Sequence, residues 1–295
     1  MSDTLPLDNV LTPFMLENAE VRGRVVRLGS TLDTILGRYD YPTPVARALG
    51  ELVVVAAILS SSLKTEGILT IQIRGKGAVP LLVVDATHGG ALRGYADVAP
   101  EHRTALDAAE NTSLSDLFGD GAYLAITFDP GAGMQRYQGV VALEGATIAE
   151  ALLGYFRDSQ QIEVILHLAV AHAKHWSAAG ILLERMPQAK AESDSWPYAR
   201  AVAATVSDAE LLDPLLDAPT LLYRLFHESG VWVYDAQGLT THCRCSRERI
   251  EQMLLSMPTT DRADMVVDGA ATVHCQFCNT EQRFTAEQLG LGGLN

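Results

Sequence analysis

The residues best suited to chemistry sit at one end of the chain. Its 295 residues contain four cysteines, all between Cys243 and Asn295, arranged as Cys243-x-Cys245 and Cys275-x-x-Cys278 with 29 residues between the pairs. Two close thiol pairs at this distance supply the four soft sulfur ligands that a closed tetrahedral zinc site uses. A reducing cytosol disfavours permanent disulfides, so the spacing points to metal or to reversible redox chemistry. Between the pairs, Ser246 can cap a helix in which Ile250, Met253, Leu254 and Met257 recur at i, i+3, i+4 and i+7, and which Pro258 ends. Met265 to Asp268, a turn at Gly269 and Ala271 to His274 then read as a hairpin leading into the second pair. So small a module buries too little core to fold unaided. A structural zinc would supply most of its stability, about 10–16 kcal/mol in domains of this kind.

His242 and His274 sit beside the cysteines, but four thiolates already complete a tetrahedron, which leaves the imidazoles a flanking role. Cys245 precedes the helix start among Arg244, Arg247 and Arg249, so dipole and cations both favour its thiolate, the species oxidants attack. A purely structural zinc is one reading. The other comes from the C-x-C half, where a zinc knuckle usually has C-x-x-C: cysteines this close can pair with each other once a metal leaves.

The rest of the chain must position these residues. With 48% hydrophobic content it has ample core, and about two domains is the natural expectation. Thr43-Pro44 opens a helix through VARALGELVVVAAILSSSLK, with Thr43 as cap and Pro44 where its missing donor costs nothing. Its uncharged stretch Leu52 to Leu63 spans 12 residues against the roughly 20 that a bilayer needs, so it reads as a buried helix and not a membrane anchor. Alternating runs follow at 69–73, 81–85, 91–97, 123–128 and 136–143, separated by turns such as Gly75-Lys76-Gly77, His88-Gly89-Gly90 and Asp129-Pro130-Gly131. Strands linked this tightly make an antiparallel meander. A helix over Thr147 to Arg157 and two apolar runs, Val164 to Ala171 and Ile181 to Met186, complete an α+β domain of residues 1–180, with helices packed on a sheet.

After Pro187, QAKAESDSWPYA reads as a polar surface connection. Ser207-Asp208-Ala209-Glu210 has the form of a capping box, Pro214 interrupts the helix it opens, and Asp217-Ala218-Pro219 starts another. Leu211, Leu212, Leu215, Leu216, Leu221, Leu222 and Leu225 place seven leucines within 16 residues, with Phe226 beside them. Helices this short are marginal in water, so their order must come from docking on a neighbouring surface. An ordinary helical subdomain is the plain reading of this stretch. Residues 181–235 thus form a leucine-rich helical linker, and residues 236–295 form a small four-cysteine domain.

Together these residues resemble the heat shock protein 33 family of redox-regulated chaperones. The resemblance spans nearly the whole chain: Tyr39-Asp40-Tyr41-Pro42, Arg136-Tyr137-Gln138-Gly139-Val140-Val141, Leu143-Glu144-Gly145, Leu222-Tyr223-Arg224-Leu225-Phe226-His227-Glu228 and Cys243-Arg244-Cys245-Ser246-Arg247-Glu248-Arg249. It implies an amino-terminal α+β domain, a metastable helical linker folded over it and a zinc domain. It also implies Cys243, Cys245, Cys275 and Cys278 as ligands of one zinc in the reduced, inactive state. Oxidation would then form the disulfides Cys243–Cys245 and Cys275–Cys278, release the zinc and unfold the linker. The product would be an ATP-independent holdase, usually a dimer, that protects unfolding client proteins during oxidative stress. Leu211, Leu212, Leu215, Leu216, Leu221, Leu222, Leu225 and Phe226 are the candidate client-binding residues. The stretch from His167 through His172 to His175 is less typical of the family, and its spacing without an acidic partner reads as a surface loop, not a metal site.

Other function classes fare worse. The formal charge of −14 disfavours a polyphosphate partner. A constitutively structural zinc ribbon on nucleic acid is the main alternative, but from Cys243 onward 5 basic residues face 7 acidic ones. An enzyme is not expected: His88-Gly89-Gly90 lacks a G-x-S-x-G partner, and Gly75-Lys76-Gly77 lacks P-loop spacing. Cys275-x-x-Cys278 lacks the βαβ setting of a thiol oxidoreductase. Asp3 and Asp8 stand where a signal peptide needs positive charge, so a cytoplasmic protein is expected.

Overall fold

The computed structural model describes residues 9–17, 20–63, 65–109, 112–131, 133–189 and 193–292. Strands β1 (Val10–Leu16) and β2 (Val21–Leu28) lead into helices α1 (Ser30–Leu36) and α2 (Thr43–Ser60). Strands β3 (Ile68–Arg74), β4 (Leu81–Thr87) and β5 (Ala91–Asp97) follow, then helices α3 (Arg103–Asp107) and α4 (Leu114–Phe118) and strands β6 (Tyr123–Asp129) and β7 (Tyr137–Ala142). Helix α5 (Ile148–Tyr155) precedes the hairpin of β8 (Val164–His172) and β9 (Trp176–Arg185). Helices α6 (Ser195–Ala203), α7 (Asp208–Leu212) and α8 (Ala218–Phe226) come next, then short strands β10 (Val231–Val233), β11 (Gln237–Gly238) and β12 (Thr240–Thr241). The chain continues with α9 (Arg247–Leu255), α10 (Thr259–Asp264) and the hairpin of β13 (Ala270–His274) and β14 (Glu281–Thr285). It divides into two compact units between Thr241 and His242.

Helix α2 organises the first unit. Apart from Thr43, Arg47 and Glu51 along one edge of its first half and Ser60 at its end it is apolar all round, and such a helix must be enclosed. By length and composition it could cross a membrane, but 78% of it is buried inside the protein. It lies between two sheets. One has strand order β10-β1-β2-β9-β8, with β11 also on β1, and the other β12-β5-β4-β3-β6-β7. Leu49, Leu52, Val53 and Ile58 of α2 share one core with Leu11, Val26 and Leu182 of the first sheet and Leu69, Ile71 and Val84 of the second. The fit is close at Gly180 of β9, where a Cβ would lie 2.7 Å from the Val54 side chain.

Both faces of the first sheet are apolar. The face away from α2 carries Phe14, Leu16, Val21, Val25, Ile181 and Leu183, and the side chains from Trp196 to Phe226 cover it. Phe14 and Phe226 stack at 6.0 Å between ring centroids.

The α+β class and the antiparallel pairing stand as read, with turns at 75–80 and 88–90 linking β3 to β4 and β4 to β5, but the meander breaks after β5, because β6 pairs with β3, and α2 packs between two sheets instead of on one. Several boundaries differ. The domain boundary placed at residue 180 falls inside β9, whose pairing with β2 runs from Ala178 to Arg185. The boundary placed before residue 236 is followed by β11 and β12, which pair with β1 and β5 of the first unit. The helix read through Lys64 stops at Ser60, where the Ser60 and Ser61 hydroxyls donate to the Ala57 and Ile58 carbonyls and compete with the helix. Lys64 itself lies outside the described residues, as do Asp3, Asp8 and residues 190–192 of the expected surface connection. The end of that connection is helix α6, because Trp196, Ala199 and Ala203 make a buried apolar stripe.

Near the linker, Glu51 is half-buried on α2. Burial pushes its carboxyl from an ordinary 4.5 up to about 7, with Arg47 opposing and Asp208 reinforcing the shift. An unfolded chain surrenders this proton first, so the native state loses stability as pH rises from about 4.5 to 7 and loses no more above that. Glu51→Gln should therefore raise the midpoint of thermal unfolding at pH 8 by a few degrees and leave it nearly unchanged at pH 4.5. Equal shifts at both pH values, read by circular dichroism, would contradict this assignment.

Candidate metal centre

The four cysteines reach one point from two backbone features. Cys243 and Cys245 lie in the irregular segment before α9, whose start is fixed when Ser246 Oγ accepts the Arg249 amide at 3.2 Å. Cys275 and Cys278 lie in the turn between β13 and β14. There Cys275 N donates to Thr280 O at 3.1 Å, Asn279 N donates to Cys275 O at 2.7 Å, and Asn279 adopts the left-handed region at φ 54°. A side-chain amide tolerates that conformation better than most residues do. The turn folds both thiols inward, and Leu254, Ala271, Phe284, Leu289 and Leu291 form a small core beneath.

All four sulfurs lie within 4.8 Å of one another, and none is in a disulfide. Cys243 and Cys275 are 3.6 Å apart, and Cys245 and Cys278 are 3.4 Å apart. A tetrahedron with metal–sulfur bonds of about 2.3 Å has edges of about 3.8 Å, so the donor set and its spacing fit a metal ion.

The electrostatics depart from the expectation that Cys245 is the favoured thiolate. Burial pushes the Cys245 thiol up, and the neighbouring sulfurs of Cys243, Cys278 and Cys275 push the same way. The arginines are engaged elsewhere. Arg249 donates to Arg244 O at 3.1 Å, while Arg247 donates to Arg283 O at 2.8 Å and lies 4.4 Å from the centre of the Phe284 ring. Burial also raises Cys275. Cys278 goes the other way: burial works against its ionisation, but hydrogen bonding from Thr280 and from Cys245 and Cys243 brings it down to about 6.

The hairpin read from Met265 to His274 is also revised. Val267 makes only a single bridge to Ala270, while the partner of β13 is β14, beyond the second cysteine pair. Asp268 and Gly269 both take positive φ in a tight turn, and α10 occupies the preceding residues. His274 faces Glu281 across the hairpin at 3.8 Å. The stretch read as a surface loop without an acidic partner is instead strand β8 and the turn after it: His167 Nε2 meets Asp208 Oδ1 at 2.7 Å, His175 Nδ1 meets Asp33 Oδ2 at 2.7 Å, and His172 stacks on Trp176. Among the described residues, the group able to hold a metal is the cysteine cluster.

In the linker, Leu211, Leu216, Leu221, Leu222 and Phe226 are buried, Leu212 and Leu225 are half-buried, and Leu215 is 92% exposed on the turn after Pro214. The surface they cover is absent from the sequence reading, which places no strands at β1 and β2. The alternation of Val21, Gly23, Val25 and Arg27 within VRGRVVRL is the signal that could have found them.

A family described as Hsp33 protein matches residues 9–285. The chain belongs to the Hsp33 family. Among Hsp33 relatives, the 33 kDa chaperonin of Caulobacter vibrioides is 42% identical over 287 residues, covering 94% of this chain and 95% of its own length. The 33 kDa chaperonin of Photobacterium profundum is 37% identical over 273 residues, covering 92% and 90%. A crystal structure of the 33 kDa chaperonin from Thermotoga maritima shares the fold, with a TM-score of 0.81 at 21% identity and coverage of 96% and 97%. Membership in Hsp33 makes this protein a chaperone of the stress response, not an enzyme.

A unit with so small a core depends on what binds it. Chelation under reducing conditions should abolish amide protection in β13 and β14 and leave α2 protected. Retained protection in both elements, followed by hydrogen exchange, would rule out a metal-dependent fold.

Proposed function

We propose that the protein is a redox-regulated, ATP-independent holdase, inactive while its four thiols hold one zinc ion and active after they are oxidised. The observation that carries this reading is the linker lying as a cover over an apolar sheet face, in a chain that reaches the cysteine cluster after the short strands β10, β11 and β12. Zinc bound by Cys243, Cys245, Cys275 and Cys278 would serve as the structural tie of the second unit.

Oxidation would join Cys243 to Cys245 and Cys275 to Cys278. Each disulfide would form as two thiolates give two electrons to one peroxide, whose O–O bond breaks and which leaves as two waters after taking two protons from solvent. With its thiolates consumed, the cluster can no longer hold the metal, and the second unit loses the binding energy that folds it. The linker would follow, exposing Leu211, Leu212, Leu216, Leu221, Leu222, Leu225 and Phe226 together with the face around Phe14 and Val25. Leu215 is exposed already. Apolar surface on this scale binds the apolar segments of unfolding proteins, and two opened copies can cover part of it as a dimer.

A reducing cytoplasm would keep the thiols free between stresses. Nucleic acid is a poor partner, because the 5 basic and 7 acidic residues from Cys243 onward leave a net charge of −2.

Zinc release and suppression of client aggregation should rise together on treatment with peroxide or hypochlorous acid, and both should reverse with reductant. Holdase activity equal in the reduced and oxidised states would sink this reading.

A further inference from the structure

The linker is held by more than apolar contact. Strand β2 directs Val21, Val25 and Arg27 toward it, and Arg27 is only 5% exposed. Its guanidinium donates from Nη1 to the carbonyls of Asp213, at 2.9 Å, and Leu216, and from Nη2 to the Glu210 carbonyl at 2.8 Å.

The sequence explains why two of these carbonyls need a donor. In a continuing helix, Glu210 O would accept the amide of residue 214, but that residue is Pro214 and has no N–H. Leu216 precedes α8, and the Thr220 amide that could reach back to it is taken at 2.7 Å by the capping carboxylate of Asp217. One buried cation therefore satisfies the corner that Pro214 breaks between α7 and α8. At the other end of α7, Asp208 meets His167 of β8.

We infer that Arg27 is the docking anchor of the linker, a positioning residue that fixes residues 210–216 on the first sheet and sets how readily the cover lifts. This rests on the linker acting as a releasable cover. The planar fork reaches several acceptors at once, which a single ammonium cannot do in the same geometry. Leucines alone would tolerate sliding across an apolar face, whereas three directional bonds to one guanidinium fix a register. A partial shift that breaks these bonds while the cover still shields the guanidinium from water leaves a buried charge without acceptors, which is strongly disfavoured. Undocking is thus all-or-none at this corner.

The test compares the full-length, reduced, zinc-loaded protein with its Arg27→Met and Arg27→Lys variants. Three quantities are read: zinc per chain, hydrogen exchange in 208–226 against that in α2, and suppression of aggregation of a heat-unfolding client protein. In Arg27→Met, zinc content and α2 protection should match the parent, protection in 208–226 should fall by about tenfold or more, and holdase activity should appear without oxidant. Arg27→Lys should lie between. A merely structural role would lower protection in α2 and 208–226 alike and produce no soluble, zinc-loaded holdase. Protection in 208–226 equal to the parent's in Arg27→Met overturns the proposal; if that variant does not fold, the same result in Arg27→Lys does so. Loosening of 208–226 with no gain of holdase activity would uphold the anchor and refute the cover function itself.

Discussion

The first sheet is apolar on both faces, and neither can be left in water. Helix α2 answers this on one side by burying nearly all its surface between two sheets. On the other side the answer is a set of short helices, each too brief to be stable alone and none closed by a long apolar run. The asymmetry follows from length. An 18-residue helix carries its own backbone order into the core, whereas α7 and α8, of 5 and 9 residues, are ordered only while they touch the sheet. A cover of that kind can detach without dismantling what it covers, because α2 and the second sheet hold the strands from behind.

The second unit obeys the opposite logic. Its apolar core is five buried side chains, so its fold is tied to whatever occupies the four thiols. The thiols do not behave alike. Hydrogen bonding favours the charged form of Cys278, whereas burial pushes Cys245 and Cys275 up, and a cation bound among the four would lower the cost of charge on all of them.

Much of this is legible in the sequence. The uncharged apolar run of α2, the period-two runs of the second sheet, the Ser207 and Ser246 caps and the two cysteine pairs are all local signals, and the structure realises them locally. The failures share a cause as well. β1 and β2 escape the sequence reading because Arg22, Arg24 and Arg27 make β2 look like an exposed strand. In the structure Arg24 is held against Glu184 on β9 and Arg27 against linker carbonyls, so the charges are buried by partners more than 150 residues away. β14 escapes because its pairing with β13 spans the cysteine turn, and α6 because its stripe of Trp196, Ala199 and Ala203 sits in a polar composition. Short-range periodicity cannot report a partner supplied by tertiary structure.

Charge and apolar surface divide the work in the linker. Residues 193–235 hold 7 acidic and 2 basic residues, a net of −5 out of the chain's −14. Docked, most of these carboxylates face water and cost little. They place negative charge around a leucine-rich surface, and like charge opposes association. The apolar side chains hold the cover to the sheet, and the acidic ones keep its outer side in water. The polar contacts of the closed state act in the reverse direction. Bonds from Arg27 and the pairing of His167 with Asp208 add little gross burial, yet they admit a single geometry. A linker held by leucines alone would leave by degrees and expose the sheet piecemeal, whereas a linker held in register at both ends of α7 exposes it as one surface.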